Sequence, residues 1–177
     1  MKFTKMHGCG NDYIYIDCTK ENVENEEALA KFLSDRHFGI GGDGIILIKK
    51  GIKADFEMVM YNADGSRGAM CGNGIRCVAK YVYDNKLTDR TSITIESMGA
   101  VKYIDITVGN GKAASARVDM GKPILDAKLI PVVCADEKAV NEKVIVGSEL
   151  TLNLMIVDPL PIFILLSVSA IVHSCFP

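Results

Sequence analysis

The sequence predicts an α+β fold in which a mostly antiparallel or mixed β-sheet wraps around one central buried helix, followed by an incomplete second domain. Apolar residues occupy nearly every side of the helical segment from Gly72 to about Asn85, so this helix should be enclosed by other elements. Runs rich in β-branched and aromatic residues lie before and after it. The dipeptide Asn110-Gly111, typical of a hairpin turn, separates two of the later runs.

Before the central helix, the sequence predicts a strand, a second helix and two more strands. The segment Glu26–Phe38 carries apolar residues at helical spacing, with Leu29, Phe32 and Leu33 on the inward face. The predicted strands share short apolar runs bounded by glycine or polar turn residues. They are Tyr13–Asp17, Ile45–Lys49 and Phe56–Tyr61 before the central helix, and Ile93–Ser97, Val101–Val108 and Ala113–Asp119 after it.

The element pattern divides the chain into two predicted domains, residues 1–120 and 121–177. In the second, Lys143–Val157 predicts one or two strands, which would form only an incomplete domain. The segment Leu160–Val172 is almost wholly apolar. It is shorter than the roughly 20 residues that span a bilayer, so a tail anchor is only the minor alternative.

The composition of the chain limits the kinds of molecule that it is expected to bind. Charged residues make up 24% of the 177 residues, and the net charge is -2 at pH 7. A chain so balanced lacks the basic surface that binds nucleic acid or an anionic membrane. The expected partner is therefore a small-molecule substrate, with no nucleic acid and no membrane.

The six cysteines are scattered along the chain, and the polar start Met1–His7 does not resemble a secretory signal. We therefore expect a reducing cytoplasmic location, in which most cysteines behave as small apolar residues. Cys18, Cys77 and Cys134 are expected in the core. The sequence contains no Cys-x-x-Cys pair, so no metal site is expected.

Cys71 is the exception, because it lies where a glycine-rich loop becomes the central helix. The unpaired N–H groups of a first helical turn favour an anion, whether a thiolate or the carboxylate of a substrate. Gly72 and Gly74 leave the backbone open to close approach by a ligand. The alternative is a buried structural cysteine. Cys77 lies about 240 degrees further around the helix and cannot share the same site.

The segment Gly39–Gly44 matches the dinucleotide-binding pattern G-x-G-x-x-G, but its context is reversed. That pattern needs a strand before it and a helix after it, whereas here a helix precedes and a strand follows. The segment therefore predicts a helix end and a tight turn that directs the next strand, with Asp43 available to orient a neighbouring loop. His7, Asn11 and Asn62 lie in other polar turns and, taken singly, are ordinary turn residues.

Together these loops resemble the diaminopimelate epimerase family. The first active-site block of that family is similar to Asn62-x-Asp64-Gly65-Ser66 and Cys71-Gly72-Asn73-Gly74-x-Arg76. Two further blocks appear in the same order, Lys5-Met-His-Gly-x-Gly-Asn11-Asp12 and Asp35-Arg-His-x-Gly-Ile-Gly-x-Asp43-Gly44. The resemblance extends from Met1 to about Gly121 and fades beyond it.

The resemblance implies a cofactor-independent isomerase of lysine biosynthesis that interconverts LL- and meso-diaminopimelate. Two cysteines on opposite faces of one α-carbon would act in turn as base and acid. Cys71 would be the first of them. Gly72 and Asn73 would bind the α-carboxylate, and Asn11 and Asn62 would hold other polar groups of the substrate.

The resemblance also implies a second domain with the other catalytic cysteine, and we do not expect that cysteine within these 177 residues. The segment Met155–Leu160 resembles a family Met-Gly-Asn-Pro-His run only faintly, and Cys175 has no glycine and threonine around it. The leading hypothesis is therefore the N-terminal half of an epimerase from a truncated, frameshifted or decaying gene, with little activity alone. The alternatives are a homodimer that pairs two Cys71 thiols, a proline racemase-like isomerase, and a non-catalytic or membrane-tethered fragment. Asn73 argues against the racemase, which usually has histidine there.

Overall fold

The computed structural model describes residues 1–20, 22–122, 124–129 and 137–138, and the backbone alone of 142–146, 150–157 and 162–169. The chain divides into two compact units, Met1–Met120 and Gly121–Pro177. The predicted roles of Pro123, Cys134, Asp158, Leu160 and Cys175 lie outside the described residues.

The first unit contains eight strands and two helices. In chain order they are β1 (Thr4–Gly8), β2 (Asn11–Asp17), α1 (Glu26–Ser34), β3 (Gly44–Lys50), β4 (Phe56–Asn62), β5 (Arg67–Gly68), α2 (Gly72–Asp84), β6 (Ser92–Ser97), β7 (Ala100–Gly109) and β8 (Lys112–Val118). The six strands predicted in this unit are confirmed, with small shifts at their ends. The short strands β1 and β5 were not predicted, because neither has a run of apolar residues.

These strands form one mixed sheet in the order β1-β2-β3-β4-β6-β7-β8, with β5 paired to β4. The pairs β2/β3 and β4/β6 are parallel, and the other pairs are antiparallel. The helix α2 contacts β1 and β8, the strands at the two ends of this order, as well as β2 and β7. The sheet is therefore curled, with α2 packed against strands from both ends of its order, and the predicted α+β class is confirmed.

One stripe of α2 accounts for this packing. Ile75, Val78, Ala79 and Val82 are fully buried, and they recur at the three- and four-residue spacing of one helix face. They join a core cluster with the sheet residues Tyr15, Ile46, Met58, Ile95 and Ile104. The expectation that the helix is enclosed on nearly every side is not confirmed. Arg76 and Lys80 are exposed on the opposite face.

The end of α2 is set by a Schellman motif. Lys86 adopts a positive φ of 60°, and its N–H donates to the Tyr83 carbonyl at 3.1 Å. The Leu87 N–H donates to the Val82 carbonyl at 2.9 Å. These bonds satisfy carbonyl groups that the last helical turn leaves unpaired.

The helix α1 packs on the other side of the sheet. Ala30 and Leu33 are buried in a second cluster with Ile14, Ile16, Ile45, Leu47 and Val59, against which Leu29 also packs. The inward placement of Phe32 is wrong, because its side chain is 66% exposed. At about 100° per residue, Phe32 lies well off the stripe formed by Ala30 and Leu33.

The predicted end of α1 at Phe38 is also wrong, because the helix ends at Ser34. Asp35 leaves the helical conformation, and its carboxylate accepts hydrogen bonds from the N–H groups of His37 and Phe38, both at 2.7 Å. The segment Gly39–Gly44 then leads directly into β3. The predicted order of helix, glycine turn and strand is confirmed. The Asn110-Gly111 hairpin is confirmed as well, with φ of 52° and 73°.

Within its described residues, the second unit contains a 3-10 turn, Ala127–Leu129, and three strands. The strands β9 (Glu142–Val146), β10 (Leu150–Val157) and β11 (Ile162–Ser169) form an antiparallel sheet with β10 in the centre. Strands over Lys143–Val157 are thus confirmed. Within the part of the chain that the structure describes, no helix is long and apolar enough to cross a membrane.

Replacing Ile46 by alanine should destabilise the first unit strongly. Ile46 is fully buried under α2, so the variant loses buried apolar surface and leaves a cavity, at about 2–5 kcal/mol. The matched control is Ile52→Ala, because Ile52 is 91% exposed and its loss should change stability by less than about 0.5 kcal/mol. Urea unfolding followed by tyrosine fluorescence measures both, since all six tyrosines lie in the first unit. Equal losses of unfolding free energy in Ile46→Ala and Ile52→Ala would contradict the packing of Ile46 under α2.

Candidate functional site

Cys71 occupies the N-cap position of α2. It has extended backbone angles, φ -136° and ψ 111°, and its carbonyl accepts the first helical bond, from the Ile75 N–H at 2.9 Å. The Gly74 N–H donates to the Cys71 Sγ at 3.2 Å. The sulfur therefore takes the place that a serine or aspartate oxygen takes at many helix starts. The predicted position of Cys71 at the helix N-terminus is confirmed, and the side chain is half-buried.

A second hydrogen bond acts on the same sulfur in the opposite sense. The Cys71 thiol donates to the Asn11 Oδ1 at 3.2 Å. Donation from the Gly74 N–H stabilises a thiolate, because the sulfur is the acceptor, whereas donation to Asn11 requires the proton to be present. The Cys71 sulfur is thus placed between a group that favours its charged form and a group that favours its neutral form.

Behind Asn11 lies a polar network that joins two separate loops. The Asn11 Nδ2 donates to the Asp43 Oδ2 at 2.7 Å, and the Asp12 N–H donates to the same oxygen at 3.1 Å. Arg36 bridges the two aspartates, through Nη2 to the Asp43 Oδ1 at 2.9 Å and to the Asp12 Oδ1 at 2.8 Å. Lys5 pairs with Asp12 at 3.1 Å. The sequence predicts only a loop-orienting role for Asp43 and does not reveal the network.

The pKa of Asp12 is lowered from 3.8 to about 2. The hydrogen bond from Arg36 is the largest cause, desolvation opposes it, and Lys5 adds to the lowering. The Asp12 side chain is only 18% exposed, whereas the Arg36 side chain is 55% exposed. The ion pair therefore holds Asp12 as a carboxylate, and solvent screens part of its energy.

Tyr13 is a neighbour of this site that the sequence identifies only as a strand residue. Its side chain is buried, and burial raises the pKa of its hydroxyl. The charge of Cys71 raises that pKa further, while a hydrogen bond with Asn11 lowers it. A protonated phenol thus lies beside Asn11 and Cys71. No pattern in the sequence distinguishes Tyr13 from the buried Tyr15 two residues later.

Gly72 and Asn73 form the start of α2 beside Cys71. Their N–H groups precede the first bond of the helix, that from Ile75, so no bond of the helical ladder uses them. Gly8 is necessary here, because a Cβ on it would lie 2.9 Å from the Asn73 Cβ. The Asn73 Oδ1 accepts a hydrogen bond from Arg76. The strand β1 therefore packs directly against the helix start.

Asn62 ends the strand β4, and its loop closes on itself. The Asn62 Nδ2 donates to the Ser66 Oγ at 3.0 Å, and the Asp64 Oδ1 accepts from the Ser66 N–H at 2.8 Å. The loop is tied to the network by the Ala63 N–H, which donates to the Asp43 carbonyl at 2.9 Å. Asp43 thus connects to Asn11 through its side chain and to the Asn62 loop through its backbone.

The other residues that the sequence singles out have different positions. His7 lines a cleft of about 260 Å³ between β1, α2 and β8, together with Asn73 and Cys77. Cys18 and Cys77 are buried, as predicted, and Cys9 is exposed in the β1–β2 turn. Among the residues whose side chains the structure describes, no three histidine, cysteine, aspartate or glutamate residues are grouped to hold a metal ion.

Comparison with known proteins supports the resemblance found in the loops. The family model described as diaminopimelate epimerase matches residues 3–125. The chain is 53% identical over 144 residues to a diaminopimelate epimerase of Methanococcus maripaludis, covering 81% of this chain and 52% of the relative. It is 56% identical over 142 residues to one of Agathobacter rectalis, covering 80% and 50%. The chain therefore spans about half the length of the curated relatives it matches.

Solved structures share the fold at low sequence identity. One is a probable proline racemase from Agrobacterium radiobacter K84 with bound carbonate, with TM-score 0.56, 14% identity, and coverage of 86% of this chain and 48% of that one. Another is a hydroxyproline epimerase from Agrobacterium vitis with bound trans-4-hydroxy-L-proline, with TM-score 0.54, 12% identity, and coverage of 86% and 47%. Such identities support the architecture alone.

Replacing Asp12 by asparagine should make the free energy of unfolding less dependent on pH in the acid range. Because the pKa of Asp12 is lowered by folding, its contribution is present above about pH 4 and is lost as the pH falls toward about 2. The free energy of unfolding falls between pH 6 and pH 2.5 in both proteins. After discounting for solvent screening, we expect this fall to be about 1–2 kcal/mol smaller in Asp12→Asn than in the parent chain.

Urea unfolding at the two pH values measures this difference. Other carboxylates with lowered pKa, such as Asp55 and Asp84, contribute equally to both proteins. The control is Asp105→Asn, which removes an exposed carboxylate on β7 that bonds only the Ser92 hydroxyl among the described contacts. If the free energy of unfolding of Asp12→Asn depends on pH as strongly as that of the parent chain, the ion pair between Arg36 and Asp12 does not have the role assigned to it.

Proposed function

The chain belongs to the diaminopimelate epimerase family, and from this premise we propose that the residues around Cys71 form one half of the active site of a cofactor-independent amino-acid epimerase. The reaction is the conversion of LL-diaminopimelate to meso-diaminopimelate in lysine biosynthesis. Residues 1–120 would carry this half-site, and residues 121–177 would begin a second domain. The names of the relatives support the reaction, and the contacts of Cys71 support the site.

The chemistry requires a base on one face of the α-carbon and an acid on the other. The base removes the α-proton, and the acid delivers a proton to the opposite face, which inverts the configuration. In the reverse direction the two groups exchange roles. Each group must therefore function both with and without its proton.

The single observation that carries the proposal is the pair of opposing hydrogen bonds at Cys71. The Gly74 N–H donates to the sulfur at 3.2 Å, and the thiol donates to the Asn11 Oδ1 at 3.2 Å. A purely structural cysteine needs neither bond. A thiol that alternates between acid and base benefits from a partner for each state, because neither state is then left with an unsatisfied polar atom.

Gly72 and Asn73 are proposed to bind the substrate α-carboxylate. Their N–H groups lie at the positive end of the α2 dipole, next to the Cys71 sulfur. A carboxylate held there would place the adjacent α-carbon within reach of the sulfur. Asn11 and Asn62 are proposed to contact the remaining polar groups of the substrate, and their loops are held together by Asp43.

The second acid/base thiol is proposed to come from a domain like the part of the relatives that this chain does not cover. The relatives are about twice as long as the matched region, with 52% of the Methanococcus maripaludis protein covered. Supplying that part is therefore the direct way to test Cys71.

In a chimera that replaces the matched half of the Methanococcus maripaludis enzyme with residues 1–120 of this chain, we expect turnover of LL-diaminopimelate. Cys71→Ala in the chimera should lower kcat by about a hundredfold or more, since the substitution removes one general acid/base group. Formation of meso-diaminopimelate is measured by chiral chromatography, and the wash-in of solvent deuterium at the α-carbon is measured by mass spectrometry.

The matched control is Cys77→Ala, on the same helix but buried in the core. It should reduce stability while leaving kcat within about threefold of the parent chimera. An active chimera in which Cys71→Ala and Cys77→Ala retain equal kcat would reject Cys71 as the acid/base residue.

The chain of 177 residues on its own should show no turnover of LL-diaminopimelate above the background without protein. One acid/base thiol can remove a proton, and inversion then needs a second group on the opposite face, which the proposal assigns to the part of the relatives that this chain does not cover. Incubation in D2O followed by chiral chromatography tests this, and sedimentation at micromolar concentration gives the oligomeric state. Turnover by a dimer that disappears in Cys71→Ala would contradict the prediction and support a site shared between two copies.

A further inference from the structure

Asp43 lies directly behind Asn11, on the side away from the Cys71 sulfur. Its inner oxygen, Oδ2, accepts hydrogen bonds from the Asn11 Nδ2 at 2.7 Å and from the Asp12 N–H at 3.1 Å. Its outer oxygen, Oδ1, accepts from the exposed Arg36 at 2.9 Å. Both carboxylate oxygens are thus occupied by donors, and the inner one is directed at the amide of Asn11.

This arrangement determines which end of the Asn11 amide faces the sulfur. A carboxylate has no proton to donate, so it can pair only with the NH2 end of an amide. Once the Asn11 Nδ2 is held by Asp43, the Oδ1 must point the other way, toward Cys71. The orientation of the amide therefore follows from the chemistry of its partner.

We propose that Asp43 is a positioning residue that holds the Asn11 amide with Oδ1 toward Cys71, and that it thereby stabilises the protonated thiol in the substrate-free chain. The inference deepens the proposed function and rests on it for its catalytic meaning. Asp43 acts through Asn11 and touches neither the sulfur nor the substrate. Arg36 supports it by pairing with the outer oxygen and with Asp12.

A competing explanation is that the negative charge of Asp43 acts on Cys71 through space. Other charged groups lie in the same network, namely Asp12, Arg36 and Lys5, and the Tyr13 hydroxyl adjoins Asn11. Removing Asp43 would favour the thiolate under either explanation. The two explanations differ in whether the effect requires Asn11, and this difference determines the experiment.

The experiment measures the thiolate of Cys71 in the full chain of 177 residues at about pH 7.5, without substrate. The thiolate fraction is obtained from absorbance at about 240 nm against the matching Cys71→Ala protein. The rate of iodoacetamide labelling is followed on the Cys71 peptide by mass spectrometry. Because only the thiolate reacts, we expect Asp43→Ala to raise both readouts by about threefold or more, the effect of losing one hydrogen bond to the thiol form. Absorbance separates this effect from easier access of the reagent.

A double-mutant cycle with Asn11→Ala distinguishes the two explanations. Asn11→Ala alone should raise the thiolate fraction by about threefold, and Asp43→Ala added to it should change the fraction by less than about 1.5-fold. An effect of Asp43→Ala that is equally large in both backgrounds, or absent in the parent, would overturn the proposal. Asp43→Leu, which is close in shape but offers no acceptor to the Asn11 Nδ2, serves as a second variant, with the same expected increase, should Asp43→Ala fail to fold.

Asp105→Asn is the charge control, because it removes an exposed carboxylate on β7 that is bonded to Ser92, and it should leave both readouts unchanged. Labelling of the buried Cys18 reports loss of structure in any variant. No readout needs turnover, so the cycle can fail while the chimera is active. The chimera can likewise fail while the cycle holds, so failure of the positioning role is distinguishable from failure of the proposed function.

Discussion

The packing of α2 into the curled sheet is the constraint on which the rest of the first unit depends. Ile75, Val78 and Val82 are fully buried against strands from both ends of the sheet order, and burying such side chains contributes about 1.5–3 kcal/mol each. Space at the helix start is correspondingly tight. A Cβ on Gly74 would lie 2.7 Å from the Ile46 Cδ1. The position of the Cys71 sulfur is therefore a consequence of core packing.

The polar network around Asn11 positions side chains, whereas the core contributes most of the stability. Arg36 and Lys5 are substantially exposed, and ion pairs in such positions contribute little stability. Their effect is to hold Asp12 and Asp43, which belong to the β2 strand and to the turn before β3. The side chain of Asp43 orients the amide of Asn11, and the carbonyl of Asp43 anchors the Asn62 loop. Three loops distant in the sequence are thus arranged around one thiol.

Local patterns predicted most of the fold, and the errors have local causes. The strand β1 has polar and glycine residues in Thr4–Gly8, and it is a strand only because β2 pairs with it. The inward prediction for Phe32 followed from its helical spacing with Leu29 and Leu33, whereas the buried stripe of α1 runs through Ala30 and Leu33 and leaves Phe32 exposed. The early end of α1 depends on the Asp35 side chain, which captures the two N–H groups that follow it.

The sequence alone determined the α+β class and the helix that begins after Cys71, because periodicity, turn chemistry and helix-end electrostatics are local. Its resemblance to a known family supplied the candidate residues Asn11, Asn62, Gly72 and Asn73. It did not determine what those residues contact. The hydrogen bonds from Cys71 to Asn11 and from Asn11 to Asp43 join residues 60 and 32 positions apart, and only the curled sheet brings them together. The tertiary structure therefore decides which polar atoms surround the Cys71 sulfur, the Gly74 N–H that donates to it and the Asn11 Oδ1 that accepts from it.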